Sequence, residues 1–68
     1  MYVDGRLDLA AALRTLPARQ RMAVVLRYVG DLSVAEIGEA MGVAEGTVHR
    51  HLHRGRSRLR ELLGARYE

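Results

Sequence analysis

Ser33-Val34-Ala35-Glu36-Ile37-Gly38-Glu39-Ala40-Met41-Gly42-Val43-Ala44-Glu45-Gly46-Thr47-Val48-His49-Arg50-His51-Leu52 decides the fold. Ser33 and Glu36 stand at the spacing of a capping box, in which each side chain satisfies the other residue's backbone N–H. Ile37 and Met41 share one helical face, with Ala40 beside them. Gly42 then stops the helix after about two turns, because glycine enters the left-handed conformation cheaply. So short a helix does not persist alone and must pack on a neighbour. The neighbour begins at Glu45. Val48, Leu52, Gly55, Leu59 and Leu62 are spaced four, three, four and three, and at about 100° per residue they form one seam. Arg50, His53, Arg54, Ser57 and Arg60 fall within about 60° of the opposite direction. The spacing therefore predicts helices over 34–41 and 45–63 joined by a tight turn at Gly42-Val43. Ile37, Met41, Val43, Val48 and Leu52 are the residues expected to lock them together. Gly55 in mid-helix costs about 1 kcal/mol against alanine, and either permits a close backbone contact or is simply tolerated. Gly64 is the expected stop.

Working outward towards the N-terminus, Pro17 divides two further helices, since proline suits a first helical position and disfavours helix in the residue before it. The first is predicted over 6–14. Asp4 or Asp8 suits its N-terminal dipole, and Leu9, Leu13 and Leu16 form its apolar face. The second is predicted over 17–29. Met22, Val25, Leu26 and Val29 follow the i, i+3, i+4, i+7 pattern of a buried stripe, and Gly30 is the expected stop. Tyr28 reads as a half-buried packing residue. Arg19 and Arg21 lie off the stripe, where they either touch a ligand or solvate the helix. No stretch alternates as a strand would. The expectation is an all-α fold: a four-helix domain with a C-terminal helix-turn-helix, occupying residues 1–68 as one unit.

Sixty-eight residues bury only about 60% of their unfolded surface, so the packing has little to spare. There is no cysteine, which removes disulfides and thiolate zinc sites and suits a reducing cytoplasm. No apolar run approaches the roughly 20 residues of a membrane span, and Met1–Arg6 has no signal-peptide character. A cytoplasmic protein is expected. Nothing supports an enzyme: no nucleophile stands at motif spacing from a base, and there is no phosphate loop. His49 and His53 are one turn apart, but no carboxylate or cysteine completes a ligand set, so neither metal nor cofactor is expected.

The charge points to a partner. The net charge is +3, and every basic residue except the histidines is arginine. Residues 49–68 carry six arginines against two carboxylates, a net +4, while residues 1–48 carry five against six, a net −1. A basic patch confined to the second helix of a helix-turn-helix is the electrostatic footprint of DNA binding. The major groove, about 12 Å wide, admits one helix, whose N-terminal residues reach base edges while the preceding helix braces it across the backbone. The candidate DNA-binding residues are Ser33, Glu45, Gly46, Thr47, His49, Arg50, His51, His53, Arg54, Ser57 and Arg58. Arg50 and Arg54 lie nearest the helix start and are the leading contacts. Arg58 and Arg60 meet phosphate, solvent or Glu61. His49 and His53 face outward, and His51 lies partly towards the seam.

Leu16-Pro17-Ala18-Arg19-Gln20-Arg21, Val24-Val25-Leu26-Arg27-Tyr28, Asp31-Leu32-Ser33-Val34-Ala35-Glu36-Ile37-Gly38, Gly42-Val43-Ala44-Glu45-Gly46-Thr47-Val48 and Arg54-Gly55-Arg56 together resemble region four of bacterial sigma factors of the extracytoplasmic-function group. The resemblance covers about residues 7 to 63. It implies a domain that recognises the −35 element of double-stranded promoter DNA in transcription initiation. It also implies contact with the flap region of core RNA polymerase and a common site for anti-sigma factors. Two departures stand out. His49-Arg50-His51 replaces a triplet that in the family is usually Lys or Arg, then Ser, then Arg or a similar residue, which implies a different promoter sequence. Ala44 replaces a serine or proline and is a poor cap. The segment with which such factors grip core polymerase and open the −10 element lies outside these residues, so a piece of a longer factor or a free-standing domain is expected. A response-regulator-type effector domain shares the Glu-Ile-Gly and Thr-Val-His arrangement. A module mainly sequestered by an anti-sigma factor is a third reading. The Leu16-Pro17 start and the Arg54-Gly55-Arg56 segment favour the first.

Overall fold

The computed structural model describes the backbone of residues 5–64 and the side chains of residues 9–64. Four helices follow one another: α1 Gly5–Thr15, α2 Ala18–Tyr28, α3 Val34–Met41 and α4 Glu45–Leu63. The all-α expectation holds, and each boundary lies within one residue of its predicted place. The residues that were to serve α1 from its N-terminus, Asp4 and the Asp8 side chain, lie outside the described residues. Helix α4 is the spine, packed against each of the other three. Ala23, Val24, Ile37, Val48 and Leu52 form the buried core, with Leu13, Leu26, Leu32, Val34, Met41, Val43 and Leu59 half-buried around it. Ile37 and Val48 are fully enclosed. Ile37, Met41, Val43, Val48 and Leu52 thus join α3 to α4 as the spacing predicts.

The α1–α2 junction is tied by one side chain. The Arg21 guanidinium donates to the carbonyls of Arg14 at 3.2 Å and Leu16 at 3.5 Å, satisfying oxygens that the end of α1 leaves without an intrahelical donor. Pro17 is the N-cap of α2 rather than its first residue, with extended backbone at φ −53°, ψ 146°.

Helix α2 turns a different face inward from the one its large apolar residues suggest. Ala23 and Val24 are buried, whereas Met22 is 49% exposed and Val29 78% exposed. The reason is Gly55. A Cβ placed there would lie 2.7 Å from Val24 Cγ2 and 3.6 Å from the Gln20 carbonyl oxygen. The two helices approach closely where Val24 and Gln20 cross Gly55, so the inward stripe of α2 runs through the buried Ala23 and Val24 and not through the bulky Met22. The mid-helix glycine is therefore a contact requirement that outweighs its propensity cost of about 1 kcal/mol. At the far end of the seam Leu59 is half-buried, but Leu62 is 44% exposed.

The end of α2 also departs from expectation. Gly30 does not take the left-handed conformation; Asp31 does, at φ 58°, a state that aspartate tolerates better than most residues. Gly30 serves close approach instead, because a Cβ there would meet the Leu26 carbonyl oxygen at 2.9 Å and Leu32 Cδ1 at 3.1 Å. The Leu32 N–H then closes the turn onto the Leu26 carbonyl at 3.0 Å.

The capping box of α3 is formed. The Glu36 N–H donates to Ser33 Oγ at 3.1 Å, and the Ser33 N–H donates to Glu36 Oε1 at 2.8 Å. Those bonds hold the Glu36 carboxyl below the ordinary glutamate value, the Ser33 backbone contributing most and its hydroxyl next. Because the folded value is depressed, the linked stabilisation is complete above the unfolded glutamate pKa and is lost as pH falls through the folded one. Glu36→Gln keeps an acceptor but not the charge. Urea denaturation at stepped pH is therefore expected to show the variant less stable than the parent near neutrality, with the gap closing in acid. A gap independent of pH would contradict the linkage.

Candidate nucleic-acid interface

Gly42 ends α3 in the left-handed conformation at φ 71°, its N–H shared between the Glu39 and Gly38 carbonyls. The Val43 N–H donates to the Gly38 carbonyl at 2.9 Å. Gly38 is buried against this turn, and a Cβ on it would stand 2.8 Å from the Val43 carbonyl oxygen. Two glycines thus fix the turn, one by conformation and one by proximity, and they set the angle at which α4 leaves. The second requirement has no signature in helical periodicity.

Ala44 caps α4 with extended backbone at φ −70°, ψ 156° and supplies no side-chain hydrogen bond. The N–H groups of Thr47 and Val48 return to the Ala44 carbonyl at 3.0 and 3.1 Å. The N–H groups of Glu45 and Gly46 precede the first helical bond, and the space over Gly46 is open. Donors at a helix start that no side chain takes up are suited to oxygen acceptors from outside the molecule.

Along α4, Glu45, Gly46, His49, Arg50, His53 and Arg54 are exposed, while Thr47 and His51 are half-buried. The exposed members advance along one flank over three turns, and His51 lies partly towards the seam as expected. Ser33 is exposed at the start of α3, its oxygen accepting the Glu36 N–H. Ser57 is half-buried rather than fully outward. It lines a groove of about 610 Å³ between α4 and the α1–α2 junction, with Thr15, Gln20 and Arg54. Arg58 pairs with Glu61 at 3.2 Å, one of the three roles expected of it.

Tyr28, at the end of α2, was read from the sequence as half-buried. Tyr28 is 55% exposed. Its hydroxyl accepts from Arg56 Nη1 at 2.6 Å, and the Arg27 guanidinium lies 6.0 Å from its ring centroid. Arg56 is thereby committed to α2 and does not join the outward flank with Arg54. Only the tertiary packing brings two residues so distant in sequence together.

Residues 6–59 match the family described as sigma-70, region 4. The chain belongs to the sigma-70 region 4 family. It is 51% identical over 65 residues to the ECF RNA polymerase sigma factor SigE of Mycolicibacterium smegmatis, covering 93% of this chain and 25% of that protein. It is 46% identical over 48 residues to the ECF RNA polymerase sigma factor SigW of Bacillus subtilis, covering 71% and 26%. With the ECF RNA polymerase sigma factor SigM of Mycobacterium tuberculosis it shares 42% over 62 residues, covering 91% and 32%. The chain thus spans a quarter to a third of the length of these relatives. The region 4 match takes in all of α2 and α3 and the part of α4 that carries the exposed His49, Arg50, His53 and Arg54. Among the described residues no helix is long and apolar enough to cross a membrane.

Proposed function

We propose that this chain is the promoter-reading domain of an extracytoplasmic-function sigma factor, a non-enzymatic, cytoplasmic module that recognises the −35 element in double-stranded DNA during transcription initiation. The observation that carries the reading is the first half of α4. Its starting N–H groups have no side-chain cap, and His49, Arg50, His53 and Arg54 stand exposed beyond them on a helix braced by α3. In this reading Arg50 forks onto a base edge, and guanine is the acceptor that suits a guanidinium best. Ser33, the Glu45 and Gly46 backbone, Thr47, His49 and His51 hold the register on phosphates and neighbouring edges. The relatives' membership of the RNA polymerase sigma factors supports the same assignment over a response-regulator effector.

Core RNA polymerase is the second proposed partner, through its flap, and an anti-sigma factor the third. An apolar groove of about 190 Å³ between α1, α2 and α4, lined by Leu9, Leu13, Val25, Val29 and Leu59, is the surface proposed to meet a protein partner, since exposed apolar patches mark such sites.

Selection from a random-sequence duplex library by the immobilised chain tests the DNA reading. Enrichment of one short motif is expected. A single module makes few phosphate contacts, so the isolated chain is expected to bind other sequences at roughly 10⁻⁴–10⁻⁶ M at physiological salt. The selected motif should gain only modestly over that. Nanomolar, motif-specific binding by the chain alone would contradict a sigma-type role and favour a self-sufficient repressor.

A further inference from the structure

We propose that the groove between the α1–α2 junction and the outer half of α4 takes one backbone phosphodiester of the bound duplex. This rests on the DNA-binding reading above and adds to it a site on α1 and α2. The groove measures about 610 Å³; Thr15 and Gln20 form one wall, and Arg54, Ser57, Arg58 and Glu61 the other.

The position follows from the size of the groove in DNA. From Arg50 to Ser57 and Arg58 the helix rises about 10–12 Å at 1.5 Å per residue. The major groove is about 12 Å wide. A helix whose second turn reads base edges therefore brings its fourth turn to the groove's rim, where the phosphates run.

The lining has the chemistry for that ligand. Arg54 supplies a permanent positive charge with donors in a planar fork. The Ser57 hydroxyl and the Gln20 amide are uncharged donors from opposite walls. The Thr15 hydroxyl is already committed to the Ala12 carbonyl at 2.7 Å and shapes the wall rather than donating into it. Glu61 is the one carboxylate, and Arg58 neutralises it at 3.2 Å across an exposed pair. The walls therefore keep a net positive charge, with room for one tetrahedral anion between two helical elements.

The test is interference mapping on the duplex selected above, replacing one phosphate at a time with an uncharged methylphosphonate and measuring affinity by fluorescence anisotropy. For the parent, one position flanking the bases read by Arg50 is expected to cost about tenfold, the worth of one charge-assisted hydrogen bond. Gln20→Glu and Ser57→Asp each place a negative charge in the groove. Both are expected to weaken binding and to become indifferent to that substitution, with the salt slope reduced by about 0.9. Glu61→Gln is expected to tighten binding about two- to fivefold, the scale of an exposed charge interaction, and to lose this gain on the substituted duplex. A gain of affinity cannot arise from misfolding. The proposal is overturned if Glu61→Gln binds as the parent does, or if the interference pattern is unchanged in the groove variants while Arg50→Ala still weakens binding. Failure of the parent to bind any duplex would defeat the DNA-binding reading, and this site with it.

Discussion

Ile37→Ala is expected to lower the stability of this domain by about 2–5 kcal/mol, the range for deleting a large buried aliphatic side chain. Ile37 is fully enclosed at the meeting of α3 with the rest of the core. A chain of this length has a total stability on the order of 3–10 kcal/mol. The variant should therefore melt upwards of about 10 °C lower, or be largely unfolded at room temperature. Met22→Ala is the informative comparison. Met22 is 49% exposed, and its truncation is expected to cost within about 0.5 kcal/mol. Thermal and urea denaturation followed by circular dichroism measure both. Equal losses in the two variants would mean that α2 packs through its large apolar residues and that the Ala23–Val24 interface with α4 is wrong.

That comparison marks where sequence reasoning reached and where it stopped. The capping box at Ser33 and Glu36, the left-handed Gly42 and the seam of α4 were all legible, because each is set by residues within one or two turns of one another. The face of α2 was not. Periodicity weighs large apolar side chains, whereas the close approach of the two helices is made by Val24 and Gln20 over Gly55, and the sequence left Gly55 open between contact and tolerance. The way α2 stops was misread for a related reason. Gly30 is needed for nearness to Leu26 and Leu32, and the left-handed residue is its neighbour Asp31. At the candidate site, the exposure of His49, Arg50, His53 and Arg54 followed from the helical wheel. The place of Thr15 and Gln20 beside it did not, since only tertiary packing brings them opposite Ser57. Arg56 and Tyr28 were likewise beyond reach.

Arg50→Ala is expected to weaken binding to the selected duplex by about 1–3 kcal/mol, roughly five- to 150-fold, and to relax the preference at one base pair. Arg54→Ala is expected to act differently. Placed a turn further along and lining the groove with Gln20 and Ser57, its guanidinium is proposed to meet phosphate. Its loss should weaken matched and scrambled duplexes alike and lower the salt slope by about 1. Both side chains are exposed, so neither truncation should move the melting temperature appreciably. Anisotropy titrations of both duplexes at several salt concentrations separate the two effects. Unchanged affinity in both variants would remove α4 from the interface.

Whether the outward flank of α4 reads promoter DNA is decided by titrating the isotopically labelled chain with the selected duplex and following backbone amide resonances. The largest shifts are expected at Glu45, Gly46, Thr47, His49, Arg50, His53 and Arg54, with a second set at Ser33 and near the α1–α2 junction, and little change at Val25, Tyr28 and Val29. Shifts concentrated on Val25, Tyr28 and Val29, with the first three turns of α4 silent, would contradict that reading.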